Sequence, residues 1–219
     1  MLTYDELRKD EDIRTYIEQA DRSLLALGYT EHSFAHVTRV AESSADLLSA
    51  LGHGPRTVEL ARIAGYLHDI GNLVNRVDHS QSGALIAFRL LSHRDMRAEE
   101  IAAVVTAIGN HDEGTGVPVN AISAALILAD KCDVRRSRVR NTDFSTFDIH
   151  DRVNYSVTSS ALSLNEAHTE VTLTLTIDTA ISPVMDYFEI FLGRMIMCRK
   201  AAEKLGLRFC LLVNDQRLF

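Results

Sequence analysis

Apolar residues recur at helical intervals through the first two thirds of the chain and switch to alternation in the last third. Ile13, Ile17, Leu24 and Leu25 follow Thr3 and Glu6 at capping-box separation, which predicts a helix over the first 30 residues, ended by Gly28. A second begins near Ser33, with Val37, Val40, Ala41, Ala45 and Leu48 on one side, and stops at Gly52-His53-Gly54-Pro55. Thr57 is expected to cap a third, strongly apolar helix that runs into His68-Asp69 and breaks at Gly71. Further helices are predicted over Ser80 to Leu91, Arg97 to Ile108 and Asn120 to Val134.

Near residue 150 the period changes. Asn154 to Leu162 and Glu170 to Asp178 alternate, with Val171, Leu173, Leu175 and Ile177 set against Thr172, Thr174 and Thr176. Period two predicts an antiparallel pair with one face buried. Ser182-Pro183 is expected to supply an N-cap and a first-turn proline for a helix from Val184 to Leu205, and Leu207 to Val213 reads as a last strand. The fold class is therefore mainly α: a helical bundle over residues 1–150, followed over 151–219 by a small β-β-α-β extension, α+β in all.

Composition narrows the function classes. Hydrophobic residues at 46% and charged residues at 24% describe a core-forming chain, and 219 residues fit one domain, or one with an appendage. The net charge of −7 argues against a nucleic-acid partner. No apolar run approaches the roughly 18 residues of a spanning helix, and the acidic first dozen residues do not read as a secretory leader, so no membrane partner and a cytoplasmic location are expected. The unpatterned cysteines, Cys132, Cys198 and Cys210, read as buried or incidental thiols. Exposed strand edges in the extension make a homodimer an expectation.

Nine histidines are where chemistry is concentrated. His68-Asp69 ends an apolar helix, where two adjacent side chains can aim at one point; mid-helix they would diverge by about 100°. His36 lies on an apolar helix face, His79 opens a helix, and His111 sits just past a helix end. Asp130 emerges from Ala-Leu-Ile-Leu-Ala, where burial of a carboxylate is costly without a cation. These four histidines and two aspartates sit on different helices or helix ends. Imidazole and carboxylate suit divalent transition ions, and six such residues suffice for two ions if Asp69 bridges them. His150-Asp151 reads as surface or turn, and His32, His53, His93 and His168 as structural or surface. Lys131, Arg135, Arg136, Arg138 and Arg140 place five cations in ten residues, a candidate phosphate-gripping rim, and Asp112 and Glu113 are candidate orienters or general acids.

The order His36, His68-Asp69, Asp130 resembles the HD superfamily of metal-dependent phosphohydrolases. His68-Asp69-Ile70-Gly71 matches its central motif. His79-Ser-Gln-Ser-Gly83-Ala84, Ala107-Ile108-Gly-Asn-His111 and Leu128-Ala129-Asp130-Lys131 with Arg135 or Arg136 look like the dinuclear members that split diadenosine tetraphosphate and, more distantly, the HD-GYP phosphodiesterases. The resemblance covers about residues 32–140. It implies one metal on His36, His68, Asp69 and Asp130, and a second on Asp69, His79 and His111. It also implies His68 and Asp69 as catalytic residues and a metal-held water or hydroxide as nucleophile. The implied cofactor is two divalent ions of Fe, Mn, Zn, Co or Ni. The implied substrate is a small phosphate ester or anhydride, a nucleotide foremost, with Lys131, Arg135, Arg136 and Asn72 in its binding. Asn72 stands where many relatives carry lysine, and Gly116-Val117-Pro118 where HD-GYP proteins carry Gly-Tyr-Pro. Two alternatives are a regulatory module that binds a nucleotide without turnover, and a mononuclear nucleotidase using His36, His68, Asp69 and Asp130 alone.

Overall fold

A computed structural model describes residues 1–218. The helix expected over the first 30 residues is two, α1 (Tyr4–Lys9) and α2 (Glu11–Ala26). Asp10 leaves helical backbone, with φ −69° and ψ 118°, and its side chain accepts from the amide of Ile13, so it closes the first helix and caps the second. Ser33 caps α3 (Phe34–Ala50). The next helix, α4 (Pro55–Leu67), starts at Pro55 rather than after Thr57, because a first-turn proline lacks only an amide that would go unused. A 3-10 turn over Ile70–Leu73 precedes α5 (His79–Ser92), α6 (Ala98–Gly109) and α7 (Ala121–Lys131).

The strand expected from Asn154 is also corrected. Asp148 caps the amide of Asp151 and starts α8 (Ile149–Ser156), so the alternating run begins only with β1 (Val157–Leu164). It pairs antiparallel with β2 (Glu170–Ile177). A long helix, α9 (Val184–Lys204), crosses over to β3 (Arg208–Val213), which pairs parallel with β2; a two-residue β4 (Gln216–Arg217) completes the order β1-β2-β3-β4. Ser182 is not the cap of α9: Pro183 holds that position, and the Ser182 hydroxyl donates to Asp186.

One apolar cluster runs from Tyr4 to Val213. Its centre is α7, whose residues Ile122 to Ala129 are all buried, packed between α3, α4 and α6 on one side and α9 on the other. Position 150 lies inside α8, and the cluster is continuous across it. Val171, Leu173, Leu175 and Ile177 face inward, as the alternation requires. The three cysteines are free and buried, with the sulfurs of Cys132 and Cys198 3.9 Å apart. Among the described residues, no helix is long and apolar enough to cross a membrane.

Candidate metal centre

His36 projects from the first turn of α3, His68 and Asp69 sit between α4 and the 3-10 turn, His79 opens α5, His111 follows α6, and Asp130 lies in the last turn of α7. Glycine makes part of this convergence. A Cβ at Gly71 would stand 1.9 Å from the His79 carbonyl oxygen and 2.4 Å from the Gly83 amide nitrogen. Only a residue without a side chain lets α5 begin this close to Asp69. Asp78, just before His79, takes the left-handed conformation at φ 57°, which aspartate tolerates better than most residues.

All four histidines are oriented in the same sense. Nδ1 of His68 donates to the Gly65 carbonyl at 2.7 Å, Nδ1 of His111 to Ile108 at 2.6 Å, and Nδ1 of His79 to Arg76 at 3.1 Å. Nδ1 of His36 donates to the Asp133 carboxylate at 2.8 Å. These oxygens only accept, so Nδ1 carries a proton, and a ring that is neutral presents Nε2 as a lone pair. That is the arrangement seen around metal-bound imidazoles.

The Nε2 atoms and carboxylates meet at one place. His36 Nε2 lies 3.3 Å from Asp130 Oδ1 and 3.6 Å from Asp69 Oδ2. His68 Nε2 lies 3.7 Å and 3.2 Å from the same two oxygens. The other oxygen of Asp69, Oδ1, faces His79 Nε2 at 3.5 Å. Nε2 of His79 and His111 are 3.2 Å apart, two lone-pair atoms in contact unless a proton or cation stands between them. Two triads, His36/His68/Asp130 and His68/Asp69/His111, keep their donor atoms within 4.8 Å of one another.

The residues fit a divalent cation. His36 Nε2, His68 Nε2 and Asp69 Oδ2 are buried without a hydrogen-bond partner among the described residues, a costly state for three polar atoms sharing one space. Ligands on one ion with bonds of about 2.1 Å stand about 3.0–3.4 Å apart, close to the spacings here. Charge points the same way. Burial raises the Asp69 and Asp130 carboxyls, but His68 beside Asp69 and Lys131 beside Asp130 overcome it and hold both well below the usual range. Burial lowers His68, yet Asp69 and Asp130 lift it to about 10. Two carboxylates in this position demand positive charge, which a protonated His68 or a metal ion meets. Burial, reinforced at His111 by His68 and Lys131, holds His111 well below its ordinary value and keeps it available as a neutral donor.

The groups around this cluster differ in part from expectation. Asn72 donates from Nδ2 to both the carbonyl and Oδ1 of Asp69, each at 2.9 Å, and is buried. It holds Asp69 rather than lining the cavity beyond. Arg135 is engaged by Asp133 and Glu31, and Arg136 by the Tyr155 carbonyl and ring, so neither expected phosphate contact reaches the cavity. After α7 the chain turns Arg135 and Arg138 onto Asp133 and Glu31, and of the two only Arg138 also lines the cavity. Lys131 does line the cavity, but its ammonium is buried between Asp130 at 2.8 Å and Glu113 at 3.4 Å.

The cavity has a volume of about 390 Å³ and takes Asp69, His79, His111 and Asp130 into its lining. Two residues read as peripheral also line it. His32 lies just before α3, four residues ahead of His36, and is partly buried, with Nδ1 bonded to the Thr30 carbonyl at 2.7 Å. His150 reaches it from α8. The nearness of His32 to His36, four residues apart in sequence, is a signal that could have found the first. Asp133 and the α9 residue Arg194, which also lines the cavity, carried no such local signal.

An uncharacterized protein of Methanocaldococcus jannaschii is 27% identical over 162 residues, 64% of this chain. The match spans 62% of that relative's length. A crystal structure of a predicted HD superfamily hydrolase from an uncultured Thermotogales bacterium is 26% identical, covers 57% of this chain and 67% of its own, and superposes with a TM-score of 0.44. The segment that contributes His36, His68, Asp69, His79, His111 and Asp130, residues 33–136, matches the HD domain family.

Proposed function

We propose that this chain is a phosphohydrolase dependent on divalent transition metals, with a two-ion centre, acting on a nucleotide or another small phosphate ester or anhydride. His36, His68, Asp69 and Asp130 would hold one ion, and Asp69, His79 and His111 the other. The observation that carries this reading is Asp69. Its Oδ2 faces His36 and His68 while its Oδ1 faces His79, the disposition a bridging carboxylate requires. Ions bound there supply an activated water at neutral pH and charge for the phosphoryl oxygens.

The chain's own groups perform the rest. The Nδ1 hydrogen bonds fix four imidazoles before any ligand arrives, and Asn72 fixes Asp69. Lys131 occupies Oδ2 of Asp130 and leaves Oδ1 toward the histidines. A cavity of about 390 Å³ lies within the size class of small-molecule sites and suits a compact substrate.

The test is metal content per chain by elemental analysis of untagged protein purified without chelators, followed by a screen of nucleotides and dinucleoside polyphosphates. About two ions in the wild type, about one in His79→Ala and near none in Asp69→Ala support the proposal. One ion that His79→Ala leaves untouched would reduce it to a mononuclear hydrolase. No ion after reconstitution with Fe, Mn or Zn would sink it.

A further inference from the structure

The cations nearest the centre are largely consumed by other contacts. Lys131 is shared by Asp130 and Glu113. Arg138 donates to the carbonyls of Glu31 and Asp133. Arg76 lies beside Asp69 and Asn72 and over the Tyr29 ring. Arg194 differs. It comes from the middle of α9, 58 residues past the last HD-matched position (194 − 136), yet lines the same cavity as Asp69, His79 and Asp130.

Its guanidinium is held by two fixed groups. Nε lies 2.5 Å from Glu113 Oε1, and Cζ stands over the Phe191 ring, 4.3 Å from its centroid. Among the described residues, no hydrogen bond engages Nη1 or Nη2, so the outer edge of the fork is left to a ligand. Glu113 is a single carboxylate set between two cations, since its other oxygen faces Lys131. Counted with Asp130, Lys131 and Arg194 are balanced by two carboxylates, and what Arg194 offers the cavity is the open edge of its fork. A guanidinium with a free edge, held over an aromatic ring and by an ion pair, is suited to bidentate binding of phosphoryl oxygens.

We infer that Arg194 binds the anionic oxygens of the substrate's phosphate, and that the C-terminal extension thereby supplies a binding residue the HD-matched segment lacks. The inference rests on the phosphohydrolase reading for the nature of the ligand. Glu113 is the positioning residue that holds Arg194 to the wall and joins it, through Lys131, to Asp130.

Isothermal titration of inorganic phosphate tests this on the full chain, in metal-loaded and chelator-treated forms, with metal content read in parallel. Arg194→Gln should weaken phosphate at least tenfold in the loaded form with unchanged metal content. Arg194→Lys should recover part of the loss by restoring charge without the fork. Arg199→Gln, an exposed change on the same helix, should match the wild type. Arg194→Gln within twofold of the wild type overturns the inference. So does a fall in metal content that accounts for the weaker binding, because Arg194 would then act only through the Glu113–Lys131–Asp130 chain. If Arg194→Gln fails to fold, Arg194→Lys decides: it must bind phosphate more weakly than the wild type at equal metal content. Wild-type protein that holds no metal sinks the phosphohydrolase reading, and the chelator-treated titrations still test Arg194. Wild type that binds phosphate in neither form overturns the inference.

Discussion

The carboxylate of Asp133 accepts a 2.8 Å hydrogen bond from Nδ1 of His36, which precedes it by 97 residues. That bond sets the tautomer and aims Nε2 at Asp69 and Asp130. Burial raises the Asp133 carboxyl, but His36 and Arg135 outweigh it and keep the group ionised. Replacement of Asp133 by alanine should leave the ring free to turn. Loss of a carboxylate behind a metal-bound imidazole weakens metal typically about 10–100-fold. Competition with a chromophoric chelator reads this directly. Wild-type affinity in Asp133→Ala would show that His36 is held by packing alone.

Gly71 should be intolerant of any side chain. A Cβ there meets backbone at 1.9 Å and 2.4 Å, so α5 would have to move away from Asp69. Overpacking of this kind costs about 1–3 kcal/mol or more. Gly71→Ala is expected to lower the melting temperature by several degrees and to lose metal through displacement of His79. A variant with wild-type stability and metal content would refute the close approach.

Far from the centre, Arg56 grips Glu100 through two hydrogen bonds of 2.8 Å each and also donates to the Leu2 carbonyl, tying the N-terminus to α4 and α6. The Arg56 hydrogen bond is the main reason the Glu100 carboxyl lies below its ordinary value. A carboxyl depressed by folding stabilises the protein above its unfolded pKa, about 4.3, and that contribution is lost as pH falls through the folded value. Glu100→Gln should therefore cost on the order of 2 kcal/mol at pH 7. The gap from the wild type should close as pH drops below about 4. Urea denaturation at several pH values measures it; a gap that is constant with pH would show that the pair contributes nothing electrostatic.

Removal of metal should destabilise the fold. A ligand that binds only the native state adds about 2.7 kcal/mol at a hundredfold excess over Kd. His36, His68 and Asp69 also hold buried atoms that lack partners among the described residues. Addition of Mn or Zn after chelation should raise the melting temperature of the wild type in a concentration-dependent way. Asp69→Ala should respond far less. Equal responses would place the stabilising ion elsewhere.

Much of the helical part was legible because apolar periodicity and caps are local signals. Ser33, Gly52 and the run Ile122 to Ala129 each act within a turn or two of their own position. The misreadings were local as well. Asp10 caps one helix while ending another, and Asp148 starts a helix where alternation alone suggested a strand. The six candidate ligands were visible as histidines and aspartates on different helices or helix ends, a set that only together pointed to a metal.

By itself, the sequence determined residue types and their local elements: which side chains could bind a cation, and on which helices they stand. Tertiary structure alone decided which atoms meet. That Asp69 divides its oxygens between two histidine groups, and that Asp133 rather than solvent holds His36, depends on how α3, α4, α5 and α7 pack. That Arg135 and Arg136 turn away while Arg194 lines the cavity depends on the path after α7 and the placement of α9. Charge clusters read along the chain do not reveal their partners, because an ion pair is chosen by distance in space, and 81 residues separate Glu113 from Arg194 (194 − 113) while 2.5 Å separates their atoms.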